Sequence, residues 1–180
     1  MNTNQGHSDI RSIFLHGPLG RRQFKEVLGS LLTGLIVVPK PLWLVSPWVS
    51  DFDLLDNQSG EWDMVQPAWG LKVVTFSQLL IDCVEAGCSL NLVTKDDATN
   101  ASFLKRLDDA LAKQSEYRRG LSENLHAKGL LASEWYLSGS MNFTFSGTSR
   151  NDEQLQLTTN TGVISETKIE FEKRYGSLLS

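Results

Sequence analysis

Apolar positions recur at three-and-four spacing from Arg21 to Ile36, where Phe24, Val27, Leu28, Leu31, Leu32 and Leu35 fall on one side of a helical wheel. The spacing predicts an amphipathic helix over 21–36, ended by Pro39 and Pro41. Residues 42–49 (LWLVSPWV) form a short apolar run, as a buried strand does, and lead into a loop at Pro47. Helical spacing returns over 75–86, with Phe76, Leu79, Leu80, Cys83 and Val84 on one face. Thr75 and Gln78 are placed there as a capping box, and Gly87 as the stop. SLNLVT (89–94) reads as a strand, and 100–114 as a third helix burying Phe103, Leu104, Leu107 and Leu111. Two strands follow over 125–131 and 135–139, joined at Ser133-Glu134. Residues 154–159 alternate apolar and polar as another strand, and 165–175 read as a closing helix. The stretch 50–71, rich in Asp, Gly and Asn, is predicted as a long loop carrying Trp62 and Trp69. Helices alternating with strands, then strands clustered late in the chain, predict an α/β sandwich on a mixed sheet. One domain over 21–180 is expected, with 1–20 unplaced.

The chain has 180 residues, 41% hydrophobic and 21% charged, which excludes wholesale disorder. No apolar run reaches the ~18 residues of a spanning helix, and the polar start lacks a basic-then-apolar signal, so a soluble cytoplasmic domain is expected. Cys83 and Cys88 form neither a disulfide framework nor a metal-ligand spacing. The formal net charge of -4 argues against coating nucleic acid non-specifically, yet permits a basic cleft on an acidic body.

Candidate chemistry gathers late in the chain. His126 and Lys128, two apart in a predicted strand, project from one face and suit an anionic substrate. The imidazole can attack or exchange a proton, and the ammonium neutralises oxygen charge. Gly139, Ser140 and Asn142 follow at the end of the next strand, and Glu153 supplies a carboxylate to fix the histidine tautomer.

These residues make the chain resemble the phospholipase D superfamily, whose signature is H-x-K-x4-D followed by G-S-x-N. His126, Lys128, Gly139, Ser140 and Asn142 match. GSMNFT (139–144) followed by Asn151-Asp152-Glu153 resembles the short bacterial members with one signature per chain, which are phosphodiesterases and nucleases. The resemblance implies an α/β/α sandwich, a mixed β-sheet flanked by helices. The chain departs at the signature acid, where Ser133 stands with Glu134 beside it, so that either Glu134 replaces the acid or the acid is absent.

Superfamily chemistry uses two histidines. His7 and His16 lack a matching lysine, so the resemblance implies a homodimer with two copies of His126 across a two-fold axis. It implies a phosphohistidine mechanism, with Lys128 and Asn142 stabilising phosphoryl oxygens and no cofactor or metal. Nucleic acid, DNA before RNA, is the expected substrate, guided by Arg118, Arg119 and Arg150 through phosphate contacts. Trp48 is assigned to the core, with Trp62 and Trp69 open between packing and base stacking. No membrane partner is expected. A phosphatidyl hydrolase and a catalytically inactive nucleic-acid-binding subunit are the competing readings. The short members also resemble nuclease components of bacterial defence or DNA-modification systems, whose other proteins would be partners.

Overall fold

The structure is a computed structural model that describes residues 9–180. Five helices and nine strands carry the fold among them: β1 (Ile10–Phe14), α1 (Gly17–Val37), β2 (Leu42–Val45), β3 (Asp53–Asp56), β4 (Val73–Thr75), α2 (Phe76–Glu85), β5 (Leu90–Thr94), α3 (Ala101–Leu111), β6 (Tyr117–Leu121), β7 (Gly129–Ala132), β8 (Tyr136–Gly139), α4 (Phe145–Ser149), β9 (Gln154–Thr158) and α5 (Thr161–Tyr175).

Seven strands form one mixed sheet in the order β1-β9-β8-β7-β2-β5-β6. β2 is an interior strand, parallel to β5 and antiparallel to β7. Successive strand side chains point to opposite faces. On β2, Leu42 and Leu44 accordingly enter the larger core beneath α1, α2 and α3, while Trp43 and Val45 enter a second core with Ile164, Phe171 and Tyr175 of α5. Both faces of the strand are covered, which explains its unbroken apolar run. The α/β/α sandwich expected from the sequence is the architecture found.

Thr75 caps α2 by accepting the Gln78 backbone N–H at 3.4 Å. The capping box is only half formed, because the Gln78 side chain donates to Asp82 and accepts from Arg106. Cys83 and Cys88 are buried free thiols.

Several elements differ from the sequence pattern. The predicted loop holds β3, which pairs with β4 across it, and the buried Asn57 ties the span together through Asp63, Gly70 and Trp62. β1 pairs antiparallel with β9, so the sheet begins before residue 21, and helix α1 starts at Gly17. β6 was not anticipated from YRRGL. His7 lies outside the described residues. No described helix is long and apolar enough to cross a membrane.

Candidate active site

Register brings one set of strand ends together. Val45 faces Gly129, Gly129 faces Ser138, and Gly139 faces Leu155. Residues just past β2 and β8, and just before β7 and β9, therefore share one edge of the sheet. That edge carries Ser46, Lys128, Ser140, Asn142 and Glu153.

His126 and Lys128 precede β7 rather than lie within it, because ladder pairing starts only at Gly129. The two side chains nevertheless meet. Lys128 Nζ is 3.0 Å from His126 Nδ1 and donates to the His126 carbonyl at 3.0 Å. An ammonium has hydrogens to give and no lone pair, so Nδ1 accepts and a neutral ring carries its hydrogen on Nε2. His126 is exposed and Lys128 half-buried.

Gly139 is required by closeness: a Cβ there would strike the Gln154 carbonyl and the Leu155 backbone of β9. The tight joint sets Ser140, whose hydroxyl donates to Glu153 and accepts from Gln154 N–H at 3.1 Å. Asn151 Nδ2 donates to the other Glu153 oxygen at 3.3 Å. Glu153 is thus held by Ser140 and Asn151, and not by His126, among the described residues. The expected tautomer-fixing contact is replaced by the one from Lys128. Asn142 Oδ1 lies 3.5 Å from Ser46 Oγ, and its amide nitrogen makes no hydrogen bond among the described residues, leaving two donors for a ligand.

Burial pushes the Lys128 ammonium below the ordinary lysine value; the Glu153 charge partly offsets this, and Lys95 adds to the depression. The unfolded chain therefore binds that proton more tightly, and this group's penalty on stability is relieved as pH rises toward the ordinary lysine range. An NMR titration of Lys128 will move to lower pH in Glu153→Gln and to higher pH in Lys95→Gln. Shifts of the same sign in both variants would contradict this account of the site's charge.

The remaining candidates divide. Arg150 lies on the link between Asn142 and Glu153, with its guanidinium 5.4 Å from the centre of the Phe145 ring. Arg118 and Arg119 do not reach the site. They sit mid-strand on β6, facing Asn91 and Leu92 of β5 rather than the strand ends, and Arg119 pairs with Asp108 at 3.0 Å. Ser133 and Glu134 occupy the β7–β8 turn at the far end of β7, where Glu134 lies 4.0 Å from Lys40. Glu134 accordingly does not stand in for a signature acid at this edge. Trp69 is core, its Nε1 donating to Asp82 at 2.6 Å, and Trp62 packs half-buried against that core. Trp48, assigned to the core from its apolar neighbours, is instead 37% exposed. Lys95 is a further residue of this edge that sequence patterning missed, since only the β2–β5 register brings it beside Trp48.

Residues 52–175 match the family described as cardiolipin synthase, PLD-like domain. No curated protein matches in sequence. Among solved structures, NucT from Helicobacter pylori is 14% identical with a TM-score of 0.62, over 93% of this chain and 97% of that one. The phospholipase D family member Nuc from Salmonella typhimurium is 12% identical with a TM-score of 0.58, over 95% of each chain. Phosphatidylserine synthase from Haemophilus influenzae is 12% identical with a TM-score of 0.59, over 95% of this chain and 39% of that one. These likenesses share the fold. The family match covers more than half of the chain, and the chain belongs to the phospholipase D-like phosphodiesterase superfamily.

Proposed function

We propose that the protein is a homodimeric, metal-independent nuclease that cleaves phosphodiester bonds through a phosphohistidine. The observation that carries this reading is the Lys128 ammonium 3.0 Å from His126 Nδ1, on the same strand-end edge as the Asn142 amide nitrogen, which makes no hydrogen bond among the described residues. An anionic phosphate competes with the ring for the ammonium. Once Lys128 turns to the phosphoryl oxygens, Nδ1 is free to take the ring hydrogen and Nε2 becomes the nucleophile. Nε2 of one His126 forms the N–P bond as the P–O bond to the leaving group breaks, and the partner subunit's His126 gives that oxygen its proton. Water then breaks the N–P bond, losing its proton to the same partner imidazole. An imidazole can take up or give a proton at its ring nitrogens, so the same residue type serves both roles. Lys128 and Asn142 face the charge that develops on phosphorus-bound oxygens. Ser140 and Glu153 hold the edge in shape, and the Glu153 charge favours the Lys128 ammonium.

The matching family is described by a lipid enzyme, cardiolipin synthase, so a phosphatidyl substrate is the second reading. A fluorescent oligonucleotide and a short-chain phospholipid, each incubated with the protein in excess EDTA, separate the two. The oligonucleotide is expected to be cut and the lipid left intact. Activity lost in chelator and restored by a divalent ion would overturn the mechanism. Oligonucleotide binding without cleavage, unchanged in His126→Ala, would point to a non-catalytic subunit.

A further inference from the structure

Beyond the catalytic groups, the same edge holds a second constellation. β2 and β5 run parallel with Val45 facing Val93, so the chain segments that leave them stay side by side. Trp48 follows β2 and Lys95 follows β5. The Lys95 ammonium lies 5.4 Å from the centre of the Trp48 ring. Trp48 Nε1 donates to Asp97 Oδ2 at 3.4 Å, and Asp97 is fixed in turn by accepting the Thr99 N–H at 2.8 Å. Ser46 Oγ donates to the Trp48 carbonyl at 2.8 Å. An indole left 37% exposed is thus anchored at its nitrogen, at its face and at its backbone.

The anchoring holds a partly exposed ring in one orientation, which lowers the ordering entropy that a ligand would otherwise have to offset. The subsite also adjoins the catalytic edge. Ser46, which holds the Trp48 backbone, is the hydroxyl beside Asn142, and Lys95 is near enough to Lys128 to lower its proton affinity.

We propose that Trp48 and Lys95 form a nucleotide subsite next to the reacting phosphate, in which Lys95 leaves the indole face for the adjoining backbone phosphate and an unpaired base stacks in its place. This deepens, and rests on, the assignment of a nucleic-acid substrate. Every base has a π-face, so such a platform is tolerant of sequence. It is selective for single strands, because a paired base has its faces covered by its neighbours in the duplex. A cation beside the ring suits this occupant, being placed for a phosphate one step along the chain.

The test measures equilibrium binding in a His126→Ala background, which stops turnover, using a labelled single-stranded oligonucleotide, its fully abasic counterpart and its duplex. Trp48→Ala is expected to weaken the base-containing single strand by roughly tenfold, with Trp48→Phe retaining most of the affinity. The abasic strand and the duplex are expected to bind both variants alike. Lys95→Gln is expected to reduce the salt dependence of binding by about one phosphate contact. Equal affinity of Trp48→Ala for the single strand, or an equal loss on the abasic strand, would overturn the subsite. So would a fall of Trp48→Ala from dimer to monomer in sedimentation with binding per chain unchanged, which would assign the ring to a second copy of the chain. Trp48-dependent binding without cleavage by the wild-type protein would remove the proposed activity and leave the subsite standing; cleavage without Trp48 dependence would do the reverse.

Discussion

Replacing His126 with alanine will lower turnover of a phosphodiester substrate by at least about 10⁴-fold, because one residue type supplies both nucleophile and acid in the proposed dimer. The side chain is exposed and, among the described residues, hydrogen-bonded only to Lys128, so the folded protein and its melting temperature are expected to survive the change. Single-turnover kinetics on an oligonucleotide give the rate. Co-expression with the alanine variant sharpens the test. If each site needs two imidazoles, activity falls with the square of the wild-type fraction; a linear fall would mean that one imidazole suffices and would overturn the shared site.

The second large effect is on stability. Phe76, the first residue of α2, is fully buried with stacked ring neighbours: Phe52 at 4.9 Å, Phe103 at 5.8 Å and Phe143 at 5.9 Å between centroids. Phe76→Ala will destabilise the fold by about 3–5 kcal/mol, since it removes both buried area and the packing of three rings around it. For a chain of this size that is a Tm lower by roughly 10 °C, read alongside a urea titration. A loss below about 1 kcal/mol would mean that the three rings close over the gap. Phe143 belongs to the GSMNFT segment, and its N–H reaches Ser46 Oγ at 3.4 Å. Loosening the stack is therefore expected to disturb Asn142 before the domain unfolds.

The helices α1, α2 and α3 were legible because each buries one stripe, and a stripe leaves a period in the sequence. β2 and β5 were legible as apolar runs covered on both faces. β1 and β6 were not. IRSIF fully buries only Ile13 and YRRGL only Gly120, with Tyr117 half-buried against the core, so neither strand shows an apolar alternation to read. β3 and β4 are short and separated by an Asn57-centred span whose order comes from side-chain hydrogen bonds rather than periodicity. In the site, His126, Lys128, Ser140, Asn142 and Glu153 were legible as spaced residues, and the structure brings them to one edge. Which of them touch was not legible, because the Glu153 contact to Ser140 follows from the close β8–β9 approach at Gly139. Trp48 and Lys95 were harder still, lying 47 positions apart and joined only through strand register.

β1 does more than widen the sheet. Phe14 faces Gln154, and the Leu15 N–H donates to the Glu153 carbonyl at 2.8 Å, so this strand clamps the backbone of a residue at the candidate site. A protein trimmed to begin at Arg21 would forfeit that clamp and leave β9 as a bare border of unsatisfied amides and carbonyls. Such a border recruits strands from other molecules, and the shortened chain would be inclined to clump as well as to lose its grip on Glu153.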